Sequence, residues 1–152
     1  MIRPANLLIY IATVLGMGFI KYAPGTIATA VAIPLYMLVS DTSIYIKFTI
    51  FVVLFIVGIF SAGYYEFYSG QKDPAEVTID ELAAYYFVLM FVPFNIFYVI
   101  TTFILFRAFD ISKIYPIKKY ENIKGGTGVM LDDLIAAVYT LLAVYLIVYL
   151  VC

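Results

Sequence analysis

The sequence contains no histidine and no tryptophan, and its single cysteine is Cys152. Without histidine, the chain cannot by itself use a phosphohistidine intermediate, a Ser–His or Cys–His pair, or a His-ligated zinc site. With one cysteine it can form no internal disulfide bond. Its chemistry therefore depends on carboxylates, lysine, arginine, hydroxyls, backbone amides or a bound ion.

Charged residues are also scarce. They make up 12% of the 152 residues, and hydrophobic residues make up 65%, whereas a soluble domain is about 25% charged and about 45–50% apolar. A soluble chain of this length lacks the interior volume to bury so much apolar surface. The composition therefore predicts an integral membrane protein of one domain, residues 1–152. The net charge of −1 provides no basic field for a nucleic-acid partner.

Five apolar runs indicate an all-α, polytopic membrane helical bundle. They cover residues 5–20, 27–40, 44–65, 82–106 and 134–151. The first run lacks a small-residue cleavage site, so we interpret it as a retained membrane segment and not as a signal peptide. In the fourth run, Pro93, Phe94 and Asn95 favour a break. A straight helix there would be about 37 Å long and would span the bilayer, whereas a hairpin would give two short re-entrant helices of about 18 Å.

The distribution of basic residues favours the hairpin. Most of them fall in the segments 20–26, 66–81 and 107–133: Lys21, Lys72, Arg107, Lys113, Lys118, Lys119 and Lys124. The turns at 41–43 and 93–95 contain none, although Lys47 lies just inside the third run. A hairpin brings the three basic segments to one side, which the positive-inside tendency makes cytoplasmic. The prediction is a multi-pass protein of the inner (cytoplasmic) membrane with its functional face toward the cytoplasm.

The same topology gathers acids near helix ends on that face: Asp73, Glu76, Asp80, Glu81, Asp110, Asp132 and Asp133. Each has an ordinary explanation, because 73–76 and 78–81 fit the capping-box pattern and Asp132 and Asp133 precede a helix whose dipole favours them. Together they are costly at a membrane boundary unless a cation lies among them. Oxygen-only ligation selects Mg²⁺ first, then Mn²⁺ or Ca²⁺.

Residues suited to an anion flank the acids. Arg107 and Lys113 are each three residues from Asp110 and would lie beside it on a helix. The bare amides of a glycine-rich stretch before the last apolar run would suit a phosphate. That stretch consists of Lys124, Gly125, Gly126 and Gly128. The alternative is a simple glycine turn, with basic side chains that reach toward lipid headgroups.

Four segments resemble, in order, those of the phosphatidylglycerophosphatase A family. They are YAPGTIATAVAIPL, DPAEVTIDELAAYY, FILFRAFDISKIYPIK and GGTGVMLDDLIAAV, and the resemblance extends over about residues 16–138. The combination of PGT, IDE, FR-x-FD-I-x-K and GG-x-GVM-x-DD is specific, although no single piece is. The resemblance implies a phosphatase, dependent on Mg²⁺ or on Mn²⁺ in its place. Such an enzyme converts phosphatidylglycerophosphate to phosphatidylglycerol and phosphate at the cytoplasmic membrane face.

Residue by residue, the resemblance implies a site made of Asp80, Glu81, Arg107, Asp110, Lys113, Asp132 and Asp133, whose five acids are the candidate metal ligands. We assign substrate binding to Lys21, Thr26, Lys124, Gly125, Gly126 and Gly128. The chain departs from the family where Ala28, Ala84 and Ala137 replace usual glycines and Lys21 replaces a common proline. These departures leave the exact lipid substrate open.

The hypothesis is metal-assisted hydrolysis of a lipid phosphomonoester. A carboxylate, with Glu81 as the first candidate, orients or deprotonates the attacking water, and Arg107 and Lys113 stabilise charge on the phosphoryl oxygens. An aspartyl-phosphate intermediate is an alternative. Other lipid phosphates also stay open, including phosphatidic acid and archaeal-type ether lipids. So do two non-enzymatic classes, a channel or transporter and an assembly subunit, and the oligomeric state.

Overall fold

Helices form the regular structure of the chain. The computed structural model describes residues 4–113, 115, 123 and 125–151, and those residues contain no β-strand. The helices are α1 (Pro4–Ala12), α2 (Pro24–Met37), α3 (Ile44–Ser69), α4 (Ile79–Met90), α5 (Ile96–Ser112) and α6 (Gly126–Val151), and a 3-10 turn (Met17–Phe19) precedes α2. The predicted all-α class is confirmed.

Two helices, α3 and α6, are long and apolar enough to cross a bilayer. Only 17% of the most apolar window of α3 and 28% of that of α6 is buried inside the protein. Large side chains such as Phe60, Leu146 and Tyr149 are exposed on them. Soluble monomers rarely present apolar surface on this scale to water. The exposed faces of α3 and α6 are therefore the surfaces that meet lipid, as predicted for a membrane protein.

The fourth apolar run folds back on itself, so the predicted hairpin is confirmed. Residues 91–95 separate α4 from α5, and the Asn95 side chain caps α5. The two helices are about 18 Å and about 26 Å long, shorter than about 30 Å of hydrocarbon. Tyr85 ties them together, because its hydroxyl donates to the Val99 carbonyl oxygen at 2.7 Å and lies 3.1 Å from Thr102 Oγ1. The start of α4 and the end of α5 consequently lie side by side.

Helix α4 packs between α2 and α6 in the centre of the bundle. The buried side chains there are small, since Ala28, Ala84 and Ala137 are each exposed by 2% or less. Small residues let helix backbones approach closely.

Five helix ends meet at one end of the bundle, which we call the site end. They are the N-termini of α2, α4 and α6 and the C-termini of α3 and α5. The turns at 38–43 and 91–95 lie at the other end, the turn end.

The first and last apolar runs have boundaries that the sequence analysis placed wrongly. Residues 5–20 do not form one helix, because Val14 and Leu15 adopt left-handed φ angles of 46° and 58° after α1 ends. The last helix begins at Gly126 and not near residue 134. Its first turn therefore includes Gly126 and Gly128, which were expected before the helix, and the aspartates lie about two turns inside it.

Of the two predicted capping boxes, only the second marks the start of a helix. Residues 73–76 form a turn, because Asp73 is left-handed with φ 48° and the Val77 amide donates to the Pro74 carbonyl oxygen at 2.9 Å. Helix α4 does follow Thr78, as predicted. The Thr78 side chain makes no capping hydrogen bond, however, and its backbone amide donates to the Ala12 carbonyl oxygen at 2.9 Å. This bond joins the end of α1 to the start of α4.

Candidate active site

A cavity of ≈ 300 Å³ opens at the site end of the bundle. Its walls come from the starts of α2, α4 and α6, the end of α5 and the turn at 73–77. Eight charged side chains line it: Asp73, Asp80, Glu81, Asp110, Asp132, Asp133, Arg107 and Lys113. The structure thus brings together all seven residues that the sequence analysis placed in the site, and adds Asp73.

Three of the carboxylates form a compact cluster. Asp80, Glu81 and Asp133 each offer an oxygen, and these oxygens lie within 4.8 Å of one another. Asp80 Oδ1, Glu81 Oε2 and Asp133 Oδ2 are buried and have no hydrogen-bond partner among the described residues. Two like unit charges at that separation repel by about 3 kcal/mol at an effective dielectric constant of about 20. Three carboxylates this close, each with a buried oxygen that lacks a partner, fit the donor set of a hard divalent cation such as Mg²⁺.

The protonation of the acids at the start of α4 leads to the same conclusion. Burial raises the pKa of the Asp80 carboxyl well above its ordinary value, and the charge of Glu81 raises it further. Burial also raises the pKa of Glu81 to about 7; the charge of Asp110 adds to this and that of Arg107 opposes it. Protein groups alone therefore do not keep these acids fully ionised at neutral pH. A divalent cation would do so, because it favours the charged form of its ligands.

The basic side chains of the cavity contact the acids at its edge. Arg107 Nη1 donates to Asp110 Oδ2 and lies 3.6 Å from Glu81 Oε1. Lys113 Nζ lies 3.2 Å from Asp73 Oδ2 and 3.4 Å from Asp132 Oδ2. Asp110 and Asp132 were predicted as metal ligands, but they face basic side chains and lie outside the three-acid cluster.

Gly25 permits the close approach of α2 to the acids. A Cβ atom at this position would overlap Glu81 Oε1 and lie 3.3 Å from Arg107 Nη1. Pro24 begins the helix, so the first free amides of α2 and its positive dipole end lie at the cavity wall. The sequence analysis noted the PGT motif but gave Gly25 no role. The signal was a glycine directly after the proline that starts a helix.

Asp73 is a charged cavity residue that the predicted site omitted. Its amide donates to Glu66 Oε1 at 2.9 Å, and its carboxylate contacts Lys113. The sequence analysis counted Asp73 among the acids of this face but interpreted it as a helix cap. Its place in the site follows from the left-handed turn at 73, which the pattern of residues did not indicate.

The predicted substrate-binding glycines do not line the cavity. Gly126 packs against the α3 backbone, where a Cβ atom would overlap the Ile59 carbonyl oxygen, and Gly128 packs in the same way against Ile123. Gly125 lines a separate groove beside the end of α3. Lys124 lies outside the described residues. Gly126 and Gly128 therefore allow close packing at the start of α6, and the role of all three glycines toward substrate stays a prediction.

The two remaining predicted substrate-binding residues lie near α2. Thr26 is half-buried on that helix and is not among the residues that line the cavity. Lys21 lines a neighbouring cleft of ≈ 300 Å³ that shares Pro24 and Ala75 with the cavity.

The fold and the cavity define a membrane-embedded helical protein whose acidic and basic residues converge at one end of the bundle. The sequence model of the family described as "Phosphatidylglycerophosphatase A" matches residues 10–148. The chain belongs to this family and is a phosphatase of the lipid phosphatase class.

The chain is similar in sequence to three curated proteins. A protein of Bacteroides thetaiotaomicron, named "Putative phosphatidylinositol-3-phosphatase", is 41% identical over 93% of this chain and 94% of its own length. The "Phosphatidylglycerophosphatase A" of Haemophilus influenzae is 33% identical over 98% of this chain and 91% of its own length. The "Phosphatidylglycerophosphatase A" of Escherichia coli is 28% identical over 81% of this chain and 73% of its own length. No solved structure matches the chain significantly.

Proposed function

We propose that the chain hydrolyses the terminal phosphomonoester of phosphatidylglycerophosphate, giving phosphatidylglycerol and phosphate, with Mg²⁺ held by Asp80, Glu81 and Asp133. The observation that supports this proposal best is the cluster of three carboxylates, each with a buried, unpartnered oxygen, in a cavity that also contains Arg107 and Lys113. The family and the Haemophilus and Escherichia relatives supply the substrate class.

The charge balance of the cavity requires a further positive group. Six carboxylates face two basic side chains, which leaves four negative charges when all are ionised. An anionic phosphate would be repelled from such a cavity. A bound Mg²⁺ ion supplies Lewis-acid polarisation of the phosphoryl group. Mn²⁺ suits the same oxygen donors.

The residues of the chain hold the phosphate and handle the proton. Arg107 has a buried Nε without a hydrogen-bond partner among the described residues, and its guanidinium can donate to phosphoryl oxygens. Lys113 adds a second positive charge at the cavity wall, where it stabilises the charge that develops during transfer. Glu81 accepts a proton from the water that attacks phosphorus, through the carboxylate oxygen that does not hold the ion. The ester bond to the headgroup oxygen breaks, and that oxygen takes up a proton from solvent as the alcohol leaves. An aspartate nucleophile is the alternative to this direct attack.

A second candidate substrate comes from the Bacteroides relative, whose name refers to a phosphatidylinositol 3-phosphate. That lipid and phosphatidylglycerophosphate share their chemistry. Each carries a terminal phosphomonoester on a polyol, and the polyol is joined to the diacylglycerol by a phosphodiester. The charged cavity can bind the terminal phosphomonoester of either lipid.

The decisive assay measures phosphate release by the purified full-length chain in mixed micelles. Short-chain phosphatidylglycerophosphate, phosphatidylinositol 3-phosphate and phosphatidic acid are compared, each with Mg²⁺ and with EDTA. The proposal expects the fastest release from phosphatidylglycerophosphate with Mg²⁺, and almost none with EDTA. Release that persists in EDTA would contradict the metal role, and a preference for another lipid would contradict the substrate.

The basic residues support a cytoplasmic orientation of the site end. Lys72, Arg107 and Lys113 lie at that end, and Lys47 lies at the turn end. The exposed Gln71 of the site end can be changed to cysteine in a Cys152→Ser background. An impermeant maleimide should label this variant in inside-out vesicles and not in intact cells. Labelling in intact cells would reverse the proposed orientation.

A further inference from the structure

We infer that Lys21 and the cleft beside it bind the phosphodiester group that joins the headgroup of the lipid substrate to its diacylglycerol. This inference deepens the proposed function and rests on it. It makes Lys21 a specificity-determining residue, one that favours lipids with a second phosphate over simple phosphomonoesters.

The cleft adjoins the catalytic cavity. The cleft is lined by the segment 18–21 and by Pro24, Ala75 and Glu76. Pro24 and Ala75 line both spaces, so the cleft and the cavity adjoin at these two residues. A lipid whose terminal phosphate occupies the cavity therefore has its next group within reach of the cleft.

Close backbone contacts fix the shape of the cleft. Gly18 packs directly on the backbone of Glu76, where a Cβ atom would overlap the carbonyl oxygen. The adjoining turn is closed by the bond from the Val77 amide to the Pro74 carbonyl oxygen. These contacts hold Gly18 against the turn that contains Glu76. The subsite is therefore formed before any ligand binds.

The surroundings of Lys21 identify a lipid as the occupant. Large exposed apolar side chains flank it in the chain: Leu15 is 79% exposed, Phe19 57%, Ile20 43% and Tyr22 75%. A basic side chain among exposed aromatic and aliphatic residues is typical of the membrane interface. Lys21 Nζ lies 5.6 Å from the centre of the Tyr22 ring, which helps to orient it. Acyl chains that continue from a phosphodiester would meet this apolar rim.

The charges of the cleft favour a singly charged group over a doubly charged one. Lys21 is exposed, and the half-buried Glu76 also lines the cleft. Together they leave the cleft without net charge, so a phosphodiester with one negative charge is accommodated more easily than a phosphomonoester with up to two. The terminal phosphomonoester, with its greater charge, suits the cavity that contains Arg107, Lys113 and the proposed divalent cation.

Binding of short-chain phosphatidylglycerol tests the subsite without any catalytic step, because this lipid carries the phosphodiester and no phosphomonoester. Isothermal titration of the detergent-solubilised full chain should show about tenfold weaker binding for Lys21→Ala, and recovery for Lys21→Arg. Glu76→Gln should bind the lipid more tightly. Lys72→Ala is the matched control, because Lys72 is an exposed lysine of the same end that lines a different groove.

A short-chain diacylglycerol, which has no phosphate, serves as the ligand control. It should bind wild type and Lys21→Ala with the same affinity. The inference is overturned if Lys21→Ala binds phosphatidylglycerol as wild type does, or if it weakens both lipids equally.

Steady-state kinetics separates this inference from the proposed function. Lys21→Ala should raise KM for phosphatidylglycerophosphate about five- to tenfold, well beyond any change in KM for phosphatidic acid, and alter kcat much less. Equal effects on both lipids would overturn the subsite and leave the phosphatase function in place. If wild type hydrolyses neither lipid, the proposed function fails, and the phosphatidylglycerol titration still decides the role of Lys21.

Discussion

The two ends of the bundle each place charge near helix termini, but they treat it in opposite ways. At the turn end, Lys47 Nζ donates to the Ser40 carbonyl oxygen at 2.6 Å and lies 5.3 Å from the centre of the Tyr36 ring. At the site end, Asp80, Glu81 and Asp133 keep buried oxygens that no described residue partners.

This difference distinguishes structural charge from functional charge. A buried or boundary charge that the protein satisfies itself stabilises the fold, as Lys47 does after the end of α2. Buried polar groups without partners are rare in folded proteins, and three within one small cluster indicate a place for a ligand. The site end would be unfavourable as a purely structural arrangement.

The largest expected effect comes from removing one cluster acid. Asp133→Asn should lower kcat/KM for phosphate release by about a thousandfold, because it removes a charged ligand of the proposed Mg²⁺ site and with it the electrostatic stabilisation of the reacting phosphate. Lys47→Met at the turn end should lower it less than threefold. Size-exclusion chromatography and circular dichroism verify that both variants are folded. Similar losses for the two variants would remove the distinction between the ends.

A smaller loss is expected when α2 is pushed away from the acids. Gly25→Ala should lower kcat/KM about ten- to a hundredfold, because the added methyl overlaps Glu81 Oε1 and displaces it or Arg107. Ala30→Gly, at an exposed position of the same helix, should cost about 1 kcal/mol of stability and keep its activity. Full activity of Gly25→Ala would show that this close approach is not needed.

The smallest effect concerns the hairpin that joins the two ends. Tyr85→Phe removes the hydroxyl that bonds to Val99 and Thr102, and should lower the free energy of unfolding by about 1 kcal/mol with little change in kcat. Reversible unfolding in mixed micelles measures it. Tyr45→Phe, at an exposed position of the turn end, should leave stability unchanged. A large loss of kcat in Tyr85→Phe would mean that this hydroxyl is needed to keep the site residues on α4 and α5 in position.

The elements that were predictable from the sequence are those set by local chemistry. Pro93 breaks the fourth run because it cannot continue a helix, and the fold-back of α5 then brings Arg107 beside Glu81. The acids of the site were also predictable as a set, because charges in so apolar a chain have few places to lie together. Composition and spacing were sufficient for both.

The features that were missed depend on contacts between distant segments. Asp73 enters the cavity through a left-handed turn held by Glu66, and no residue pattern indicates that turn. The pairing of Asp110 with Arg107 three residues away was predictable, but Asp132 contacts Lys113 only once α5 and α6 are packed together. The sequence gives the residues of the site, and the packing decides which of them lack partners.

Binding of Mn²⁺, followed by electron paramagnetic resonance on the solubilised full chain, tests the three-carboxylate site most directly. Wild type should bind Mn²⁺ in competition with Mg²⁺, and Asp80→Asn and Asp133→Asn should bind it at least tenfold more weakly. Asp41→Asn, which changes an exposed acid of the turn end, should bind as wild type does. Equal Mn²⁺ affinity in wild type and both cluster variants would contradict the account.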